Sequence, residues 1–332
     1  MKKLFTILAV AAACVACQKN ETIALDNGEA ISFGNAFVEN SVRAAVDPSY
    51  SANDIASFKV YGTVDGDGAG AVAPVLIYPG ATVTKGTADY GAAWTCKDAE
   101  GNEIKQYWVP GATYKFVGIV DGDKKNVSET TLVNGMPTTI SYTADGVTDL
   151  LCQTIDKVAN TDGTSNGLVA FNFNHLLAKA KFTVVNDSTE ATNYLHKVRD
   201  ITISNAYNTA TYDVAGAQWM SAKSTTGQAF DAIIASAGST ECANEKLLIP
   251  GLASVTVEFV VDLYYVNNGT ETLVGTTEYT DSNAKTADIN IEAGKAYNFQ
   301  INVKVGELIQ FTVTAKPNWA TPENNVPVNP AN

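Results

Sequence analysis

Tyr297-Asn298-Phe299-Gln300-Ile301-Asn302-Val303-Lys304-Val305 alternates apolar and polar residues without a break. Successive side chains of an extended chain point to opposite sides, so this run builds a strand with one buried face and one wet face. Val255-Thr256-Val257-Glu258-Phe259 opens a similar run that continues to Tyr265, and Ile309-Gln310-Phe311-Thr312-Val313-Thr314-Ala315 is a third. The same reasoning predicts strands at Phe58–Val64, Val75–Tyr78, Lys105–Val109, Tyr114–Val120, Thr138–Tyr142, Leu168–Phe173, Lys181–Val185 and Ile201–Ile203. Turn formers separate them at short intervals: Asp65-Gly66-Asp67-Gly68, Asp121-Gly122, Asn134-Gly135 and Asn268-Gly269. Helical signals are sparse. Leu150, Leu151, Ile155 and Val158, after Asp149 as a cap, have the spacing of one or two helical turns. Strands without intervening helices form antiparallel sheets, so the expected fold is all-β, with sheets packed as sandwiches.

The polar, turn-rich segment Asn160-Thr161-Asp162-Gly163-Thr164-Ser165-Asn166-Gly167 is the strongest internal linker. It divides the chain into blocks 44–165 and 166–319, each of single-domain size. Residues 320–332 carry Pro322, Pro327 and Pro330 among Asn and Ala, a tail that cannot form a central strand. At the other end, Lys2 and Lys3 precede the apolar run Leu4–Ala16. That run is shorter than the roughly 20 residues a spanning helix needs, so residues 1–17 read as a secretory signal. Val15-Ala16-Cys17, followed by polar Gln18-Lys19-Asn20, resembles a bacterial lipobox, whose cysteine is acylated and becomes the new N-terminus. Cys14 competes for that role and stands where leucine is usual; the end of the hydrophobic run selects Cys17. The competing reading is an ordinary signal peptide with incidental cysteines.

Composition narrows the function. Net charge is -13 with no basic block, which argues against nucleic acid as a partner. Hydrophobic content is 45% and charged content 17%, so the core must supply the stability. Beyond the signal, Cys96, Cys152 and Cys242 form neither a zinc pattern nor a dense disulfide framework, and read as small buried hydrophobes with at most one bridge. There are 2 histidines, His175 and His196, and His175 lies among apolar residues as a structural histidine does. No cluster has metal-ligand spacing, no G-x-S-x-G elbow or phosphate loop occurs, and no cofactor is called for. The Asp-Gly repeats lack the downstream Glu of a calcium loop and read as hairpin turns. Trp94, Trp108, Trp219 and Trp319 could stack on a sugar if exposed, but packing is the usual fate of tryptophan. The chain therefore reads as not an enzyme.

Near the N-terminus, Ile31-Ser32-Phe33-Gly34-Asn35-Ala36-Phe37-Val38 places Ile31, Phe33 and Phe37 on one face of a strand. Glu39-Asn40-Ser41-Val42-Arg43-Ala44-Ala45 follows at once. Arginine is otherwise present only as Arg199, inside an expected strand. Arg43 is thus either a solvated loop residue or the one accessible site for an Arg-specific protease.

These features recur in a recognisable order. The lipobox, the short strand and the Arg43-Ala44 step come first. Phe171-x-Phe173-x-His175-Leu176-Leu177-Ala178-Lys179-Ala180-Lys181-Phe182 and Leu247-Leu248-Ile249-Pro250 follow, then Gly294-Lys295-Ala296-Tyr297 before alternating strands and Trp319. Together they resemble the precursors of the fimbrillin family, the Mfa-like type V pilins of Bacteroidetes. The resemblance implies two consecutive transthyretin-like β-sandwich domains and transport to the outer membrane as a lipoprotein. It also implies cleavage between Arg43 and Ala44 by an Arg-specific protease, which removes the propeptide 18–43 with its first strand. A strand of another fimbrial subunit would fill the groove left behind, giving a cell-surface fimbrium that supports adhesion. Ile309, Phe311 and Val313 mark the candidate donor strand. If that strand completes its own domain, only the Pro-rich tail remains to donate, and the subunit is terminal. The alternative is a surface lipoprotein that binds glycan or host protein without polymerising, or a fimbrial anchor or tip subunit.

Overall fold

The computed structural model describes residues 28–38, 55–66, 73–86, 94–121, 126–162, 164–188, 192–316 and 326–328. Its strands begin with β1 (Phe33–Val38), β2 (Ser57–Asp65), β3 (Val75–Thr84), β4 (Thr95–Lys97), β5 (Thr113–Val120), β6 (Val127–Val133), β7 (Met136–Thr143) and β8 (Leu151–Val158). They continue with β9 (Val169–His175), β10 (Ala178–Asn186), β11 (Tyr194–Ile203), β12 (Tyr207–Asp213), β13 (Gln218–Thr225), β14 (Gln228–Ala229), β15 (Ile233–Ser236) and β16 (Thr240–Cys242). The last are β17 (Lys246–Leu248), β18 (Val255–Asn267), β19 (Thr270–Tyr279), β20 (Lys285–Ala287), β21 (Ala296–Val303), β22 (Gln310–Lys316) and β23 (Val326–Val328). The fold is all-β; a single 3-10 turn, Asp281–Asn283, is the only helical element among the described residues.

Four sheets result. The first runs β1-β9-β8-β5-β2-β3-β4 and the second β13-β12-β7-β6. The third runs β16-β10-β21-β22-β23 with β17 also on β10; the fourth runs β14-β11-β18-β19 with β15 on β11 and β20 on β18. Pairing is antiparallel except for β1 with β9 and β10 with β21, whose partners lie far enough apart in sequence for a crossover.

The expected alternation is visible in burial. Tyr297, Phe299, Ile301 and Val303 of β21 are buried while Asn298, Gln300 and Asn302 are only partly so. They meet Val255, Val257, Phe259 and Val261 of β18 in one core between the third and fourth sheets, with Phe182 stacked on Phe299 at 5.1 Å. The core of the first sheet, hereafter the first core, is enclosed by that sheet itself, which curls so that residues of β1, β2, β3, β5 and β9 converge. The opposite face of that sheet, through Tyr61, Val117, Ile119 and Cys152, packs on Ile140, Tyr142, Ala210 and Tyr212 of the second sheet.

Two expectations change, and the sheet order adds a further fact. The segment Leu151–Val158 is strand, not helix, because β5 pairs with it over its whole length. Lys105–Val109 forms no strand; Tyr107 makes a lone bridge to Ala30. Sheet membership does not switch at 165/166, since β9 still joins the first sheet and the hairpin β12–β13 returns to pair with β7. The polar segment 160–167 therefore lies between two paired strands, β8 and β9. All three described cysteines are unbridged; Cys96 and Cys152 are buried, which pushes each thiol up to about 12, whereas Cys242 is exposed.

Gly62 and Gly118 sit mid-strand, where glycine usually marks a close approach. A Cβ on Gly118 would lie 2.8 Å from the Phe171 ring, and one on Gly62 would lie 2.9 Å from Tyr78. The first core is thus fitted around these two missing side chains. Gly118→Val should lower stability by about 1–3 kcal/mol through overpacking, read as a lower urea midpoint at constant slope. An unchanged midpoint would show that the rings have room to move.

Candidate functional site

The outermost strand of the first sheet contributes side chains to the centre of its core. Ile31, Phe33 and Ala36 are all buried there. The Phe33 ring meets Tyr78 at 5.3 Å, and Phe58 and Phe116 at 6.2 Å each, edge to face in all three cases. Since β1 neighbours only β9 in the sheet, these contacts with β2, β3 and β5 exist because the sheet curls over. Burying Ile31 and Phe33 stabilises this seat by roughly 1.5–3 kcal/mol each.

The backbone holds the segment from both sides. The Ile31 amide donates to Gln106 O at 2.7 Å and Trp108 donates to Glu29 O at 2.9 Å, while Val169 donates to Ser32 O at 2.8 Å. Beyond Gly34, β1 has β9 as its partner, in parallel register with Phe37 opposite Asn172. A register irregularity between Gly34 and Phe37 brings Ala36 into the core, so strict alternation stops at Phe33. The Phe37 side chain lies outside the described set. A Cβ on Gly34 would come within 2.6 Å of Leu168 Cδ1, the tip of an exposed side chain that would have to swing aside.

Sequence reasoning missed the polar end of this seat. Glu29 Oε1 accepts from the Ser165 hydroxyl at 2.5 Å, and Oε2 accepts from the Asn166 amide at 2.6 Å and its Nδ2 at 3.0 Å. The Ser165 hydroxyl and then the Asn166 amide hold this exposed carboxyl below its ordinary value. The signal that could have found it is an acid two residues ahead of Ile31, in phase with Phe33.

Cys17, Arg43 and Ala44 lie outside the described residues. Arg199 lies in β11, paired with β18, and its Nε is 2.7 Å from Asp262 Oδ2. Of the candidate donor residues, Phe311 and Val313 are buried between the third and fourth sheets and Ile309 packs at the margin of that core. β22 pairs with β21 along its whole length, and β23 pairs with its other edge. The donor candidate thus completes its own core, and the structure does not bring it to β1. His175 Nδ1 lies 2.5 Å from Asp149 Oδ2, both buried, where β8 begins and β9 ends. Burial pushes the Asp149 carboxyl up, against hydrogen bonds from His175 and the Leu150 amide. The next residue, Leu176, accepts from Trp219 Nε1 at 2.7 Å, so this group fastens the crossing between sheets. Trp108 is buried and Trp94 and Trp219 are half-buried; Trp319 lies outside the described residues.

The sequence profile of the fimbrillin-like family matches residues 43–319. The chain belongs to that family. A fimbrial protein from Bacteroides vulgatus shares the fold, with a TM-score of 0.58 at 13% identity over 79% of this chain and 92% of its own. A candidate cell-adhesion protein from Bacteroides ovatus gives 0.49 at 15% identity, over 89% of this fimbrillin-like chain and 99% of its own. The fimbrial anchor protein Mfa2 from Porphyromonas gingivalis gives 0.36 at 13% identity, over 88% and 97%. No curated protein matches the sequence. The family sets this fimbrillin-like chain among fimbrial proteins, which act at the cell surface with other fimbrial subunits.

Replacing Phe33 by Ala removes the ring on which β1 is seated, a loss of about 3–5 kcal/mol for a buried Phe. Hydrogen exchange should then quicken at least about a hundredfold at the Ile31 and Val169 amides, with little change at Phe299. Uniform quickening across all sheets would show that β1 does not open by itself.

Proposed function

We propose that this chain is a structural fimbrial subunit, exported as a lipoprotein precursor acylated at Cys17 and built as two β-sandwich domains. An Arg-specific protease cuts between Arg43 and Ala44, the segment 18–43 leaves with β1, and a strand of another subunit takes its place along β9. The observation that carries this reading is the seat of Phe33: an edge strand, at the chain's N-terminal end, supplies a ring to the middle of the first core. Removing such a strand bares both apolar surface and the unpaired edge of β9, an association hazard unless another strand fills it. Keeping β1 in place until export is complete prevents this, and the cut then acts as the assembly switch. Residues 1–43 hold four basic and four acidic side chains, so the cleaved body keeps a net charge of -13, which favours solubility.

A second reading follows from β22. Because Phe311 and Val313 complete their own core, releasing them as a donor strand is costly, which favours a terminal subunit. An anchor would keep its lipid and need no cut.

N-terminal sequencing and intact mass of protein from the native cell surface separate these. A start at Ala44 without lipid is expected, and Arg43→Ala should abolish both the cut and filament growth. Acylated Cys17 with intact Arg43 in the wild type would sink the cleaved subunit and leave the anchor.

A further inference from the structure

The loop that holds Glu29 also makes hydrogen bonds of its own. Asn160 N donates to Asn166 Oδ1 at 2.6 Å, which turns the Asn166 Nδ2 outward. Asn160 Nδ2 donates to Ser165 O and to Thr164 Oγ1, each at 3.0 Å. Gly167 N donates to Ser165 Oγ at 3.1 Å, leaving the hydroxyl proton for the carboxylate. Lys157 Nζ donates to Asn166 O and lies 4.9 Å from the Trp108 ring centre, so a positive charge backs the loop. The result is a two-oxygen receptor: one hydroxyl for one carboxylate oxygen, and two N–H groups for the other.

The receptor also measures position. Glu29 precedes Ile31 by two residues and Phe33 by four, and both apolar side chains enter the core. Sliding an occupying strand by one residue would turn its apolar face outward. Sliding it by two would carry the carboxylate about 7 Å from its donors.

The pattern Glu-x-Ile-x-Phe occurs twice in the sequence, as Glu29-Ala30-Ile31-Ser32-Phe33 and as Glu307-Leu308-Ile309-Gln310-Phe311. In the second copy of the pattern the acid is on the surface, where Lys304 donates to it at 2.5 Å, and Leu308 is 90% exposed. Ile309 and Phe311 are already sorted onto the core-facing side. A strand carrying residues 307–311 laid along β9 would present Glu307, Ile309 and Phe311 where Glu29, Ile31 and Phe33 now lie.

We propose that Ser165, Asn166 and Gly167, backed by Lys157, form a carboxylate-binding site that sets the register of any strand in the β9 groove, and that its ligand after loss of the first strand is Glu307 of a second copy of this chain. This rests on the strand-replacement reading above, requires Ile309 and Phe311 of the donating copy to leave β21 and their own core, and adds to that reading a specificity site and a named occupant.

The test uses the full chain nicked after Arg43 by an Arg-specific protease, with the first segment still bound. Labelled peptides of residues 27–38 and 305–316 are added, each also with its acid changed to glutamine (Glu29→Gln, Glu307→Gln). Both unchanged peptides should displace the bound segment, and each glutamine change should weaken entry about tenfold, the scale of a charged hydrogen bond. Ser165→Ala in the protein should weaken the unchanged peptides and leave the glutamine peptides unaffected. Entry that ignores the acid would overturn the carboxylate site while leaving strand replacement intact. Acid-dependent entry by 27–38 with none by 305–316 would overturn the second copy as occupant. If neither peptide enters, strand replacement itself falls, and this site with it.

Discussion

The ring of Phe33 enters the first core from the outermost strand and meets rings from β2, β3 and β5. For an edge residue to reach so far, the first sheet must curl, and the rest of its construction follows. Mid-strand glycines at 62 and 118 leave room for the rings of Tyr78, Phe116, Phe171 and Phe173. The stretch 106–108, which belongs to no strand, closes the remaining gap against residues 29–31. Without a ring at position 33 the curled sheet would surround a void, and voids of that size in a packed interior are destabilising.

Much of this was legible in the sequence wherever one face of a strand is buried and the other wet. β21, β22 and the first half of β18 follow period two in burial, and the apolar residues at 31 and 33 are visible for the same reason; β2 and β5 instead carry unbroken buried runs, because both faces of their sheet are covered. β8 was misread because Leu151 and Ile155 are four apart, a spacing that satisfies a helix face and a strand face equally; both belong to the first core while Cys152 faces the second sheet. β19 carries no readable period because nearly all of its residues are exposed. Glu29 shows in the sequence only as an acid in phase with Ile31 and Phe33, since its donors are 136 and 137 residues away and leave no local mark. The turn-rich segment between β8 and β9 has a composition that a linker and a long loop between paired strands share.

The chain's two ends occupy different cores under different constraints. β1 is attached along one edge for most of its length, with a short bracket at its start. β22 is gripped on both edges, by β21 and β23, and fills its core with Phe311 and Val313. A strand in the first situation has fewer backbone bonds to break on leaving than one in the second. The hairpin β12–β13 crosses from the later part of the chain to pair with β7, so the two regions are stitched by backbone hydrogen bonds as well as by side chains.

The parallel pairing of β1 with β9 also decides how the seat responds to force. Both strands start at the same end, and the body of the molecule continues from the far end of β9 through Leu176 and Leu177 into β10. Tension applied between the start of β1 and that body drives the two strands past one another along their length. Every rung of the ladder is then strained together, as in a lap joint, and none can be peeled open ahead of the next. Pulling instead from the end of β1 near Val38 would separate the rungs in turn, like a zip. The same seat is therefore stiff toward a pull on its leading end and yielding toward a pull on its trailing end.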